Sequence, residues 1–325
     1  MSPLALDARK ELLAAIYAHE RFLLVTHENP DGDALGSLIG MQALLRALGK
    51  DSLMVIAPED FPLPKEYRFF SLDGLVTTPP EDFEERTIVF LDCGNLDRNP
   101  LAELRDAKDL LNIDHHHDNT LFGTINYVGS GASCTAELVW DLTRDAGVEL
   151  TTEIAEALYV GLVTDTGRFS YENTTPRAHT MAGELIAAGV DVAAMYRRIY
   201  EGVRLAKIAL LSRALATITL YADGRLAVAA LGAEDYTATG ADDSDSEGII
   251  DHLRALEGVK VAVLIREIVG DGRHGQQKVS LRSTDNDNDV SLIARAHGGG
   301  GHRRAAGFTS DLTTAELIDA IRAQV

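Results

Sequence analysis

Cysteine is scarce in this sequence, with only Cys93 and Cys134 among 325 residues. So few cysteines do not provide the disulfide framework of a small secreted scaffold. Long apolar runs are also lacking, whereas a membrane-spanning helix needs about 18 or more consecutive apolar residues. Charged residues such as Asp7 and Arg9 stand where a signal peptide would have its apolar core. We therefore expect a cytoplasmic protein with no membrane partner.

Basic residues are also few relative to acidic residues. There are 30 lysines and arginines against 50 aspartates and glutamates, which gives a formal net charge of −20. Proteins that follow a long nucleic acid usually present a basic groove, because neutralising phosphates supplies most of their affinity. A phosphate-bearing substrate would instead have to be attracted locally, by metal ions and a few arginines. The composition thus favours small anions and argues against long duplex nucleic acid as a partner.

Short apolar strands alternate with amphipathic helices through the first half of the sequence. The predicted strands are Phe22–Thr26, Ser52–Ala57, Thr87–Leu91 and Leu110–Ile113. Such alternation is typical of an α/β fold in which helices cover both faces of a parallel sheet. The length predicts about two domains. We expect the parallel sheet within residues 1–190, a helical connector over 191–214 and a smaller C-terminal α/β domain over 215–325.

The second half predicts antiparallel pairing. Thr217–Tyr221 and Leu226–Leu231 flank an Asp-Gly pair at Asp223, which is a hairpin signal. Lys260–Ile268 and Lys278–Ser283 predict a second antiparallel pair.

Ionisable side chains gather where strands or helices of the first half end. They are His27, Asp31, Asp33, Asp92, Asp114, His115, His116 and Asp165. The carboxyl ends of parallel strands meet at one edge of a sheet, so these groups can share one site. So many carboxylates without cations would repel one another and their pKa values would rise. Two divalent metals sharing a carboxylate resolve this conflict, and such pairs serve phosphoester hydrolysis.

Simpler interpretations exist for single members of this set. Asp31 and Asp33 are each plausible as a helix N-cap, and the run Asp114–His117 alone would fit a solvated turn. Capping does not explain His27 at a strand end, nor the two carboxylates together.

Four segments resemble the motifs of the DHH phosphoesterase family, which is named for the Asp-His-His run at 114–116. They are His27–Ser37, Phe90–Gly94, Ile113–Asn119 and Gly161–Tyr171. A fifth segment, Gly298–Gly307, resembles the glycine-rich motif of that family's associated C-terminal domain. The residues of these motifs and the length of the chain most resemble those of the nanoRNase/pAp-phosphatase branch of the family. The resemblance implies a catalytic metal-binding domain at 1–190 and a substrate-binding domain at 215–325.

The resemblance also implies a binuclear site loaded with two Mn²⁺ ions, with Mg²⁺, Co²⁺ or Zn²⁺ as alternatives. One metal would be held by His27 and Asp31, and the other by Asp33, His115 and Asp165. Asp92 would bridge the two metals. His116 would face the scissile phosphate, and Asp114 would orient the imidazoles. Spacing leaves open whether His115 or His116 is the inner ligand, and His117 is expected to point away from the metals.

The glycine-rich segment is expected to hold the part of the substrate distal to the scissile bond. Its predicted substrate-binding residues are Gly299, Gly300, Gly301, His302 and Arg303, together with Arg282 on the preceding strand. Consecutive glycines let backbone N–H groups approach an anion closely, and a guanidinium fork matches phosphate oxygens. A flexible linker is the alternative for a bare glycine run.

The resulting hypothesis is a Mn²⁺-dependent phosphoesterase. It would hydrolyse short oligoribonucleotides to mononucleotides and 3′-phosphoadenosine 5′-phosphate (pAp) to AMP, with cyclic or linear dinucleotides as further substrates. Alternatives within enzyme chemistry are a pyrophosphatase or exopolyphosphatase and a RecJ-like single-strand DNA exonuclease. A non-catalytic nucleotide sensor is the alternative of a different class. A homodimer is expected from the family resemblance alone.

Overall fold

The computed structural model describes residues 3–268, 275–285 and 287–325, and for residues 3–5, 106 and 302 it describes the backbone only. The chain divides into two compact units, Met1–Glu201 and Gly202–Val325. This division falls inside the predicted connector. The predicted limits of 190 and 214 stay a prediction. Within the described residues, no helix combines the length and the apolar character that crossing a membrane requires.

The first unit is built on a six-stranded parallel sheet. Its strands are β1 (Arg21–Val25), β2 (Asp51–Val55), β3 (Leu75–Val76), β4 (Thr87–Leu91), β5 (Leu110–Asp114) and β6 (Ile125–Val128). Their order is β3-β2-β1-β4-β5-β6, and every pairing is parallel. The predicted α/β class and parallel N-terminal sheet are confirmed. The strand order reverses between β1 and β4, which is the point where such sheets bind their ligands.

Both faces of this sheet are covered, but by different elements. The helices of this unit are α1 (Pro3–Ala18), α2 (Gly32–Ala47), α3 (Thr135–Asp145), α4 (Thr152–Asp165), α5 (Pro176–Ala187) and α6 (Val192–Tyr200). They share one apolar core with alternate strand residues such as Phe22 and Leu24. Strand residues that point to the other face, such as Leu23 and Phe90, pack with Leu101 and Leu104. Leu104 lies in a 3₁₀ helix, Ala102–Asp106, and Leu101 directly precedes this helix. Strand side chains alternate between the two faces, so each strand contributes to both cores.

The second unit contains a mixed six-stranded sheet. Its elements are α7 (Leu205–Ala216), β7 (Thr219–Tyr221), β8 (Leu226–Leu231), α8 (Ala233–Thr239), α9 (Ile249–Arg254), β9 (Val261–Glu267), β10 (Gln277–Ser283), α10 (Val290–Ala296), β11 (Gly300–His302), β12 (Ala305–Ser310) and α11 (Thr314–Arg322). The strand order is β11-β12-β10-β9-β8-β7. Strands β8 and β9 pair in parallel, and their neighbours pair antiparallel. The predicted antiparallel pairs, β7 with β8 and β9 with β10, are confirmed.

The predicted connector helix is interrupted. Helix α6 ends at Tyr200 in the first unit, and α7 begins at Leu205 in the second. Gly202 lies between them with a φ of 76°, a left-handed conformation that glycine adopts readily.

Candidate metal centre

The ends of the two central strands supply the first pair of site residues. His27 follows β1, and Asp92 directly follows β4. Asp92 has a φ of 58°, and its N–H donates to the Ile113 carbonyl of β5 at 3.0 Å. A left-handed non-glycine residue is strained and persists where the surrounding structure fixes it, often at functional sites. His27 Nε2 then lies 3.5 Å from Asp92 Oδ2.

The two aspartates at the start of α2 have different surroundings. Asp31 is the N-cap, and its Oδ1 accepts from the N–H groups of Asp33 and Ala34, both at 3.0 Å. Capping is therefore one role of Asp31. Asp33 instead turns toward a different helix, since its carboxylate accepts from Thr135 N at 2.6 Å and Ala136 N at 2.9 Å. A buried carboxylate thus satisfies the free N–H groups at the start of α3.

Glycines allow α2 and α4 to pack closely, which brings Asp33 near Asp165. A Cβ placed on Gly36 would lie 2.4 Å from the Ala157 carbonyl oxygen. A Cβ placed on Gly161 would lie 2.7 Å from Asp33 Oδ1. Contacts this short do not occur with real Cβ atoms, so neither position accepts a side chain at this helix spacing. The close packing sets the last residue of α4, Asp165, beside the first turn of α2.

The Asp-His-His run leaves the carboxyl end of β5. Asp114 is fully buried, and its Oδ1 accepts from His115 N at 2.9 Å and lies 2.7 Å from His116 Nδ1. Asn119 Nδ2 donates to the other oxygen at 2.6 Å. Burial alone would lower the pKa of His116, but its bond to Asp114 raises that pKa to about 9. His116 is therefore protonated near neutral pH and donates to Asp114 through Nδ1.

His115 lies at the centre of the carboxylates. Its Nε2 is 3.7 Å from Asp92 Oδ1, 3.7 Å from Asp165 Oδ2 and 4.0 Å from Asp33 Oδ2. His116 Nδ1 is also 3.7 Å from Asp92 Oδ1, but this nitrogen is already bonded to Asp114. The two histidines therefore differ in which nitrogen is available to a metal between the carboxylates.

Three groups of potential ligands result, each with its ligand atoms within 4.8 Å of one another. The groups are His27, Asp31 and Asp92; Asp33, His115 and Asp165; and Asp92, His115 and His116. Every residue predicted to bind metal belongs to at least one group. Asp92 presents Oδ2 to His27 and Oδ1 to His115, so its two oxygens face different groups.

The electrostatics of the cluster fit divalent cations. Burial raises the pKa of Asp33 well above its usual range, and the charges of Asp92 and Asp165 raise it further. Burial also raises the pKa of Asp165 to about 6. Burial alone would raise the pKa of Asp92 too, but contact with His27 and the charge of His115 hold that pKa below its usual range. Carboxylate oxygen and imidazole nitrogen, without thiolate, form a donor set for divalent metals.

Thr135 and Asn173 are hydrogen-bonding residues of the cluster that were not predicted from the sequence. Thr135 Oγ1 donates to Asp92 Oδ1 at 2.9 Å, and Asn173 Nδ2 donates to Asp165 Oδ2 at 3.0 Å. Both orient a carboxylate from a distant point of the chain. The only sequence signal for Thr135 is its position at the start of an amphipathic helix, and Asn173 follows the fourth motif in a turn.

The glycine-rich segment forms part of the sheet of the second unit, so it is not a flexible linker. A Cβ on Gly299 would lie 2.2 Å from the Gly307 carbonyl oxygen, and one on Gly301 would lie 2.5 Å from that of Ala305. Gly300 is exposed, with open space where a Cβ would be. The glycines at 299 and 301 are thus explained by close packing on β12, while Gly300 leaves open backbone.

The other predicted substrate-binding residues lie near this segment in the second unit. Arg282 is on β10 opposite Ala305, and its Nη1 donates to the Leu281 carbonyl at 3.1 Å. Arg303 is exposed, with Nε 3.4 Å from Asp289 Oδ2. The side chain of His302 lies outside the described part of the structure. The substrate-binding role of this whole set stays a prediction.

A doubly wound sheet with carboxylates and imidazoles at its switch point, followed by a second α/β unit, defines the class of protein. Residues 21–162 match the N-terminal domain of the DHH family, and residues 223–325 match the DHHA1 domain. The chain belongs to the DHH family of phosphoesterases.

Two relatives and one solved structure are similar to most of this chain. The chain is 35% identical over 309 residues to the bifunctional oligoribonuclease and PAP phosphatase NrnA of Thermus thermophilus, covering 93% of this chain and 89% of that protein. It is 27% identical to the protein of the same name from Bacillus subtilis, covering 92% of each chain. A solved structure of an exopolyphosphatase-related protein from Bacteroides fragilis has the same fold, with a TM-score of 0.83 and 24% identity, covering 100% of this chain and 97% of that one.

Proposed function

We propose that this phosphoesterase hydrolyses short oligoribonucleotides to mononucleotides and pAp to AMP, using two Mn²⁺ ions. The observation that carries the proposal is the position of Asp92, whose two carboxylate oxygens face two separate ligand groups. A shared carboxylate is what a pair of divalent cations requires. The similarity to NrnA over most of both chains supports the choice of substrates.

In this proposal each metal has its own ligands in addition to the bridging Asp92. His27 and Asp31 hold one metal, and Asp33, His115 and Asp165 hold the other. The inward Nε2 of His115, in contrast to the occupied Nδ1 of His116, supports His115 as the inner ligand. Hard oxygen donors mixed with imidazole suit Mn²⁺. When bound, the two cations lower the pKa of a water molecule and neutralise phosphate charge.

The protein's own groups would orient the phosphate and stabilise the charge that develops on it. The protonated His116, whose Nδ1 is bonded to Asp114, keeps Nε2 free to donate to a non-bridging phosphate oxygen. A fixed donor aimed at developing charge lowers the barrier, because it needs no reorganisation during the reaction. Asp114 is held in turn by Asn119, so the imidazolium is fixed in orientation. The glycine-rich segment and Arg282 would hold the distal part of the substrate.

The test is a substrate panel with Mn²⁺-loaded protein: pAp, a ribodinucleotide, a 20-mer RNA, single-stranded DNA and pyrophosphate. We expect rapid turnover of the first two and slow turnover of the polymers. Preferred release of orthophosphate from pyrophosphate, or degradation of long DNA as fast as dinucleotides, would contradict the proposal. Metal binding without any turnover would instead indicate a nucleotide sensor.

A matched pair of variants tests the bridging role. Asp92→Asn should abolish turnover and reduce the Mn²⁺ stoichiometry below two per chain, because both cations lose a shared charged ligand. Asp118→Asn removes one exposed carboxylate of the Asp-His-His loop and should change neither the turnover nor the Mn²⁺ stoichiometry. Near-normal turnover of Asp92→Asn would remove the bridging assignment.

The cytoplasmic location and the homodimer stay predictions, to be tested by cell fractionation and by light scattering.

A further inference from the structure

Arg98 lies beside the metal centre, outside the five segments that resemble the family motifs. It is the last residue of a 3₁₀ helix, Leu96–Arg98, which follows β4. The Arg98 carbonyl accepts from the N–H of Glu28 at 2.7 Å, and Asn99 Nδ2 donates to the carbonyl of Thr26 at 2.6 Å. These two bonds are made to the residues on either side of His27. They fix the backbone of Arg98 against the end of β1.

The position of this backbone is further restrained from within its own turn. The side chain of Asn95 caps the 3₁₀ helix and accepts from the Arg98 N–H at 3.2 Å. Arg105 Nη2 donates to the carbonyl of Asn99 at 3.0 Å. Arg98 therefore extends from a rigid turn, so its backbone has little conformational entropy to lose on binding a ligand.

The guanidinium of Arg98 has no partner within the described part of the chain. No carboxylate lies within 4.0 Å of it there, and no acceptor is hydrogen-bonded to it, although the residue is half-buried. Other arginines that are largely removed from solvent are paired: Arg9 Nη1 lies 3.0 Å from Asp141 Oδ2, and Arg86 donates to Asp82 at 3.1 Å. A half-buried guanidinium without an acceptor is unfavourable and points to an anion that is bound during function.

Arg98 is near enough to the centre for its charge to act on both His27 and His116. His27 lies 3.5 Å from one oxygen of Asp92 and His116 lies 3.7 Å from the other, so this charge acts on groups at both oxygens of Asp92.

We propose that Arg98 binds the scissile phosphate of the substrate through its guanidinium fork. This assignment rests on the proposed phosphoesterase function and adds a residue to it. A guanidinium can bind two oxygens of one phosphate at once, which a histidine or a lysine does not do. The interaction would strengthen as negative charge builds on the non-bridging oxygens, so it lowers the barrier as well as binding the ground state.

The test compares Arg98→Gln and Arg98→Lys with Arg197→Gln, which removes an exposed arginine of α6. Two Mn²⁺-dependent substrates are used: pAp, which has two phosphates, and bis(p-nitrophenyl) phosphate, which has one and no terminal phosphate. For Arg98→Gln we expect kcat/KM to fall about 10- to 100-fold on both substrates, as for loss of a charge-assisted hydrogen bond. Arg98→Lys should be intermediate, and Arg197→Gln should match wild type.

Two further measurements separate this role from a structural one. Mn²⁺ affinity and melting temperature of Arg98→Gln should equal those of wild type, and added guanidinium should partly restore the activity of Arg98→Ala. Unchanged kinetics, a loss confined to pAp, or a parallel loss of Mn²⁺ affinity would overturn the proposal.

Binding of inorganic phosphate to the Mn²⁺-loaded protein, measured by calorimetry, keeps this test independent of turnover. We expect about tenfold weaker phosphate binding in Arg98→Gln. If wild type turns over none of the substrates, the proposed function fails, and the phosphate titration still decides the role of Arg98. Equal phosphate affinity in wild type and Arg98→Gln would refute the role of Arg98 alone.

Discussion

Gly161→Ala is the sharpest test of how the candidate metal centre is built. Gly161 lies inside α4, and an added Cβ would be 2.7 Å from both Asp33 Oδ1 and Ala136 Cβ. Asp33 cannot move away freely, because its carboxylate is bonded to the N–H groups of Thr135 and Ala136. The added methyl must therefore separate α2 from α4 or displace the carboxylate.

Gly183→Ala is the matched control. Gly183 lies inside α5, is exposed, and has nothing within 4 Å of the position that a Cβ would occupy. Both substitutions gain up to about 1 kcal/mol from the higher helix propensity of alanine. Only Gly161→Ala introduces overpacking, which typically costs about 1–3 kcal/mol. Gly161→Ala should thus be less stable than Gly183→Ala by about 1–3 kcal/mol.

Urea unfolding of the metal-free proteins measures this difference, and calorimetric titration with Mn²⁺ measures its effect on the site. In a unit of about 200 residues, about 1–3 kcal/mol corresponds to a melting temperature lower by about 2–12 °C. Displacement of Asp33 should also weaken Mn²⁺ binding in Gly161→Ala and leave it unchanged in Gly183→Ala. Equal stability and equal Mn²⁺ affinity of the two variants would refute the view that helix packing sets the ligand geometry.

Two other predictions concern the surroundings of the carboxylates. Thr135→Val keeps the shape of the side chain but removes the 2.9 Å hydrogen bond to Asp92. Mn²⁺ affinity should therefore fall about 10- to 100-fold with the fold retained. Unchanged Mn²⁺ affinity would mean that the hydroxyl only fills space. The second prediction concerns metal-free protein, in which burial, partly offset by the charge of His115, raises the folded pKa of Asp165 to about 6. The charged groups acting on this carboxyl are His115, Asp92, Asp31 and His116. A raised carboxyl pKa stabilises the fold at low pH and loses that contribution as pH rises through the folded pKa, so wild type should be about 1.3 kcal/mol more stable at pH 5 than at pH 7 relative to Asp165→Asn. Parallel pH profiles of the two proteins in urea unfolding would contradict this assignment.

The strand-end groups could be predicted because their signal is local. His27 and Asp92 each follow an apolar strand closely, and parallel strands bring their carboxyl ends together whatever the loops do. The pairing of β1 with β4, which makes these two residues neighbours, is a long-range event. The sequence therefore predicts which side chains gather at this edge of the sheet but not the contacts between them.

The remaining parts of the site depend on tertiary packing. Whether His115 or His116 faces inward follows from the 2.7 Å bond between His116 and Asp114, which spacing does not encode. Thr135 and Asn173 belong to no ligand pattern, because they hold carboxylates by hydrogen bonds from loops and helix starts. Arg98 was not predicted for a similar reason, since its relation to His27 arises where two loops after different strands meet.

Asp33 shows why the centre and the fold of the first unit cannot be separated. One carboxylate occupies the N-terminus of α3, packs against a glycine of α4 and belongs to the first turn of α2, so three helices meet at a group that would also bind metal. Its bonds to the α3 N–H groups do not need a cation, and they hold the carboxylate in place in metal-free protein. This candidate ligand is therefore preorganised by helix packing, so metal binding would have little ordering entropy to overcome at Asp33. The same arrangement leaves buried, mutually repelling carboxylates in metal-free protein, so bound metal would stabilise this unit by an amount that grows with its affinity.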